Sequence, residues 1–185
     1  MTKKLVTAFA VVVVALSAAV GVQAFASHHK GGVGAFRLSG YNETPKAINS
    51  PGTGSFTATI DNQAQTITYK LTYTGLSSQV RQAHIHFGNF FGSGQGIALF
   101  LCTNLGNGPA GTPACPGTTS GTVTGTLHPA DVQAIADQGL AAGDWASAVK
   151  AIRAGVAYAN VHTANWPAGE IRAQLRKVHE DDDGD

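Results

Sequence analysis

Apolar and polar side chains alternate over most of the chain after residue 35, and this period of two predicts an all-β fold. Side chains on a strand point alternately to its two faces, so an alternating stretch has one apolar and one polar face. The wholly apolar stretch 97–101 indicates a strand that is buried on both faces. Turn-forming residues separate the stretches, which is the pattern of an antiparallel β-sandwich. The predicted strands span 35–40, 55–60, 66–73, 83–88, 97–101, 121–127, 156–163 and 169–176.

The period changes to that of a helix between residues 129 and 154. Pro129 can occupy the first position of a helix, and Gly139 marks its end. Asp144 is the predicted N-cap of a second helix, which Gly155 ends. We therefore expect a short two-helix insertion near 129–154 that covers one end of the sandwich. The apolar stripes of the two helices are Val132, Ile135 and Ala136, and Trp145, Ala148, Val149 and Ile152.

The first 26 residues are predicted to be a signal peptide. Two lysines precede an apolar run over 5–22, and residues 24–26 form an A-x-A cleavage sequence. The run approaches the length of a membrane span, but its small-residue end and the polar residues after it favour cleavage. The mature chain would begin at Ser27, in the periplasm or outside the cell, and would have no membrane span. Its predicted parts are a flexible His- and Gly-rich lead over 27–34, a domain over 35–178 and an acidic disordered tail over 179–185.

Charge and cysteine content narrow the classes of function. Removing Lys3 and Lys4 leaves 10 of the 12 basic residues against 11 acidic residues, a formal charge of −1. No basic run with interleaved aromatic residues is present, which argues against a nucleic acid partner. Cys102 and Cys115 flank a loop rich in Gly and Pro. In an oxidising compartment such a pair is most simply a disulfide.

Three histidines form the candidate metal site. His84 and His86 lie two residues apart on the strand 83–88, so their imidazoles share one face. His162 lies on the strand 156–163, and if the two strands are neighbours the three imidazoles converge. The cysteines are predicted to be oxidised and Met1 is lost with the signal peptide, so no soft ligand remains. The ligand set therefore favours Cu(II) or Zn(II).

Two alternatives to this site stay open. Asn160, Glu170 and Arg172 could orient the imidazoles as outer partners of a metal site. The same three residues could instead satisfy the histidines in a hydrogen-bonded polar cluster without any metal. A separate metal site is also conceivable at the cleaved N terminus, in the segment Ser27, His28 and His29. There the terminal amine, two deprotonated amides and the imidazole of His29 would suit Cu(II) or Ni(II).

Several motifs resemble the CHRD domain, a module first named in chordin. They are Ala83-His84-Ile85-His86-Phe87-Gly88, Tyr158-Ala159-Asn160-Val161-His162-Thr163 and Gly169-Glu170-Ile171-Arg172-Ala173-Gln174-Leu175. The segment 36–45 resembles the opening strand of the family and its Glu-x-Pro turn, here Glu43-Thr44-Pro45. Ala173 stands where many members carry Gly. The resemblance covers about residues 36–175 and implies an extracellular β-sandwich.

The His-x-His strand with a distant third His is also similar to the copper strand of copper/zinc superoxide dismutase, which implies a Greek-key-like sandwich. No bridging-His loop and no zinc loop is visible, so dismutase activity is not implied. Three functions remain. The first is a secreted module that binds copper or zinc, and the second is an extracellular protein-interaction or matrix module with structural histidines. The third, a metal-dependent enzyme, has the least support because no Ser-His-Asp order is evident.

Overall fold

Nine antiparallel strands build the fold in the computed structural model, which describes residues 30–92 and 96–178. The strand order is β5-β4-β7-β8-β1-β2-β3-β6, and the short β9 pairs with β1. This result confirms the predicted all-β antiparallel class. The strands are β1 (Lys30–Ser39), β2 (Thr53–Asp61), β3 (Thr66–Thr74), β4 (Val80–Phe87), β5 (Ile97–Thr103), β6 (Gly121–Leu127), β7 (Ala157–Thr163), β8 (Ile171–Gln174) and β9 (Arg176–Lys177).

The sheet curls until it is nearly a barrel. Its first and last strands, β5 and β6, approach each other, although no ladder of hydrogen bonds joins them in the described residues. Near this gap the Tyr69 hydroxyl on β3 donates a hydrogen bond of 2.6 Å to the Leu101 carbonyl on β5. One curved sheet thus takes the place of the two facing sheets that we predicted. Alternation along a strand is the same in both architectures, and for this reason it could not distinguish them.

The concave side of the sheet holds the apolar core. Phe56, Tyr73, Ile85 and Leu99 are at most 1% exposed and come from four different strands. The predicted strands 55–60 and 66–73 are confirmed as parts of β2 and β3, which form a hairpin with a continuous register from Thr53 opposite Thr74 to Asp61 opposite Thr66. The alternation of these strands therefore identified correctly which of their side chains are internal.

Only one α-helix, α1 (Trp145–Arg153), is present in the described residues. It confirms the second predicted helix: Asp144 caps it by accepting a hydrogen bond from the Ser147 N–H. The first predicted helix is wrong. Short 3₁₀ turns occupy 129–131 and 136–138, and Ile135 pairs with Leu140 in a β-bridge. The apolar residues at helical spacing are still largely buried, because the irregular segment turns Val132 and Ile135 inward.

The ends of the described chain differ partly from the prediction. Strand β1 begins at Lys30 and pairs with β2, so the predicted flexible lead is wrong for residues 30–34. The proposed signal peptide, the segment 27–29 and the acidic tail lie outside the described residues. Within the described part, no helix has the length and apolarity needed to cross a membrane. The predicted Cys102–Cys115 disulfide is confirmed, with a sulfur–sulfur distance of 2.03 Å.

Candidate metal centre

A polar layer covers the convex face of β4, β7 and β8. Register places His84 opposite Asn160, and Asn160 opposite Arg172 on the next strand. His162 follows two residues after Asn160 on β7, so it lies diagonally across from His84. All seven residues of β7 are buried. Because its small apolar residues face the core, its polar residues must be covered from outside, by loops that include Thr44 and Pro167.

The three predicted histidines meet in this layer. The Nδ1 atom of His84 lies 3.1 Å from the Nε2 atom of His162. The ring centroids of His84 and His86 are 5.3 Å apart, and those of His86 and His162 are 5.7 Å apart. One nitrogen from each ring can be chosen so that all three lie within 4.8 Å of one another. The three residues are 0%, 5% and 6% exposed, so together they form a buried triad.

Backbone carbonyls orient two of the imidazoles. The Nδ1–H of His86 donates to the Gly96 carbonyl at 2.9 Å, and the Nδ1–H of His162 donates to the Pro167 carbonyl at 3.0 Å. A carbonyl only accepts, so each Nδ1 carries the proton and each Nε2 keeps its lone pair. A carbonyl partner of this kind is common for a histidine that ligates a metal.

Burial keeps the triad neutral. The pKa of His84 is lowered to about 2, chiefly by burial and to a smaller extent by the neighbouring imidazoles of His162 and His86. Burial likewise lowers the pKa of His86 and that of His162, each to about 4. At neutral pH all three rings are therefore uncharged, which is the form that ligates metals.

The three predicted orienting residues bind other partners. Asn160 donates to Glu43 at 2.6 Å, and Arg172 donates to the carbonyls of Asn89 and Gly92 at 2.9 and 3.0 Å. In the described part of the chain, none of the three side chains hydrogen-bonds to a triad imidazole. Arg172 is linked to the triad by ring contacts instead. Its guanidinium lies 3.6 Å from the ring centroid of Tyr158, and the Tyr158 ring stacks on the ring of His86.

Glu170 lies in a separate polar cluster. Its carboxylate accepts hydrogen bonds from the hydroxyls of Thr163 and Ser50 and from the Ser77 N–H, at 2.5–2.7 Å. No ion pair joins it to Arg172 among the described residues. Glu170 thus does not pair with Arg172 in the described residues, although the two are only two positions apart in the sequence.

The carboxyl of Glu43 belongs to the site, although we did not select it from the sequence. It is 8% exposed, and burial raises its pKa to about 7, while the Asn160 hydrogen bond and the Arg172 charge act in the opposite direction. The Glu-x-Pro turn was the sequence feature that could have identified it. Glu43 and the triad line a common cavity of about 270 Å³, together with Arg172. The cavity therefore lies directly beside the triad.

The second metal site predicted at Ser27, His28 and His29 lies outside the described residues. In a comparison with known protein families, a family model for the CHRD domain matches residues 35–175. No curated protein and no solved structure matches the chain.

Proposed function

Because the chain belongs to the CHRD domain family, we propose that it is an extracellular module that binds one Cu(II) or Zn(II) ion. The ligands are the imidazoles of His84, His86 and His162. The Cys102–Cys115 disulfide supports a compartment outside the cytoplasm, where such bonds persist.

Two buried nitrogen atoms carry this proposal. The Nε2 atoms of His84 and His86 have no hydrogen-bond partner among the described residues. A buried polar atom without a partner costs about 1–3 kcal/mol. In a purely structural polar cluster, packing would supply a donor to each lone pair. A divalent cation accounts for both atoms because it accepts their lone pairs.

The donor set favours copper or zinc. Three neutral nitrogens suit these two ions, whereas calcium and magnesium prefer oxygen ligands. Both cysteines of the chain are oxidised in the disulfide. No carboxylate joins the triad in the described residues. The three rings would therefore hold the ion as neutral ligands, without an anionic ligand among the described residues.

Metal titration of the chain from Ser27 onward tests the proposal. Isothermal titration of the metal-free protein with Cu(II) and with Zn(II) is expected to show one tight equivalent for at least one ion. The variant H84A/H86A/H162A should lose at least about 100-fold in affinity, since ligand removal is more severe than loss of an outer partner. His128→Ala is the matched control, because this histidine is exposed.

A second variant separates the two candidate sites. Deletion of residues 27–29 removes the N-terminal histidines and leaves β1 intact. We expect the tight equivalent to remain in this variant. Its loss here, with retention in the triad variant, would move the metal to the N terminus. No binding in any form would leave an interaction module with structural histidines.

A further inference from the structure

Three phenylalanines protrude from one side of the molecule. Phe36 on β1 is 61% exposed, and Phe90 and Phe91, in the segment after β4, are 49% and 89% exposed. The rings of Phe90 and Phe91 pack edge to face with centroids 5.2 Å apart. Isolated exposed apolar residues are ordinary, but three aromatic rings placed together mark an interaction site.

Basic side chains lie beside these exposed phenylalanines. A groove of about 340 Å³ is lined by Phe36, Phe90, Arg37, Arg176 and Lys177, and we call it the aromatic–basic groove. Its three basic residues are all exposed, and no Asp or Glu is among its lining residues. The charge is local, since the whole sequence has nearly equal numbers of basic and acidic residues.

Two features of strand pairing form the groove. The pairing of β1 with β2 is irregular between Ala35 and Leu38, and the consecutive residues Phe36 and Arg37 are both exposed there. A regular strand would send one of the two inward. Strand β9 pairs with β1 at Val33 and Gly34 and brings its two basic residues to the same place.

We propose that the aromatic–basic groove docks on the surface of an anionic phospholipid bilayer. Aromatic rings prefer the boundary between head groups and acyl chains, and basic residues at that depth pair with lipid phosphates. The charge of the groove selects an anionic surface, and the most exposed ring, Phe91, can enter the boundary with little rearrangement. No residue of the groove is a metal ligand, so this docking does not depend on the metal.

Vesicle co-sedimentation tests the docking. The chain from Ser27 onward is used, because the apolar run 5–22 would bind bilayers by itself. We expect binding to equimolar phosphatidylcholine and phosphatidylglycerol vesicles at about 0.1 M salt, and loss of binding at about 1 M salt. Little binding is expected to vesicles of phosphatidylcholine alone.

Two variants test the exposed rings in and beside the groove and its basic residues separately, with circular dichroism to check the fold. F90S/F91S removes two exposed rings and R176E/K177E reverses two exposed charges. Each should weaken binding by at least about tenfold. The matched controls are Leu105→Ser, an exposed apolar residue outside the groove, and K46E/R81E, which reverses two exposed charges elsewhere. Both controls should bind like the parent chain.

A shortened chain and the comparisons above decide whether the groove docks on an anionic bilayer. A chain that ends at Val178 lacks the five acidic residues of 180–185. Stronger binding by this shorter chain would still support the docking, because the acidic residues repel an anionic surface. Equal binding to both kinds of vesicle, equal binding by variants and controls, or no binding by either chain would overturn it.

Discussion

Buried titratable groups in the site respond to pH in opposite ways. Glu43 has a pKa of about 7 in the folded chain and an ordinary value of 4.5, so between these values the native state keeps a proton that the unfolded state has lost. Its contribution to stability therefore falls as the pH rises through this window. The triad histidines have lowered pKa values, so their contribution falls as the pH drops below their ordinary value of 6.5.

The variant Glu43→Gln should separate these two effects. Gln keeps the shape and the oxygen that accepts from Asn160, but it does not titrate. Relative to the parent chain, the variant is expected to gain up to about 3 kcal/mol of unfolding free energy between pH 4.5 and pH 8. Urea unfolding at several pH values in the presence of a chelator measures this difference. Asp137→Asn, an exposed substitution, is the control. A parallel pH dependence in Glu43→Gln and parent chain would contradict the raised pKa.

Helix α1 shows how a single cap and an apolar stripe define an element. Asp144 satisfies a free N–H of the first turn, and Trp145, Ala148, Val149 and Ile152 are buried. A nine-residue helix is too short to be stable alone. Its stability must therefore come from the cap and from packing on the barrel.

Asp144→Ala is expected to destabilise the protein and to lower its denaturation midpoint, because the Ser147 N–H loses its acceptor. Asp144→Asn retains an acceptor of equal capping strength and should unfold close to the parent chain. Chemical denaturation of the three proteins at one pH provides the comparison. An equal loss in both variants would assign the effect to the negative charge rather than to the hydrogen bond.

The closure of the molecule depends on contacts near the gap between β5 and β6. The disulfide joins the end of β5 to the loop that precedes β6, and Asn104 binds the same loop through the Cys115 backbone. Closing a loop with a sequence separation of 13 restricts the unfolded chain. On the chain-entropy account this restriction stabilises the fold by about 3 kcal/mol.

The variant C102S/C115S should lose about this much unfolding free energy. We expect it to keep the triad, since His84 and His162 lie on strands that pair without the loop. Denaturation measures the first effect and metal titration the second. Reduction of the parent chain is the control, and it should reproduce the loss of stability. Loss of metal binding in a folded variant would show that the loop supports the site.

Local patterns predicted the elements better than their arrangement. The period of two identified the strands β2 and β3, and the cap residue located α1. Both patterns depend on neighbours in the chain, because side-chain direction follows from local backbone geometry. The helix that we predicted before α1 is an exception. Its apolar residues Val132 and Ile135 are buried, as their spacing predicts, but the backbone that buries them forms short turns and not a helix.

The sequence by itself determined that His84 and His86 share a face, that Cys102 and Cys115 can pair across a loop, and that the chain is built of strands. Only the tertiary structure decided that β7 lies beside β4, which brings His162 to the pair across 78 residues. It also brought Glu43 to the site and led Glu170 away from it. The physical reason is that strand partners are chosen by burial summed over the whole sheet, whereas the direction of each side chain is set within its own strand.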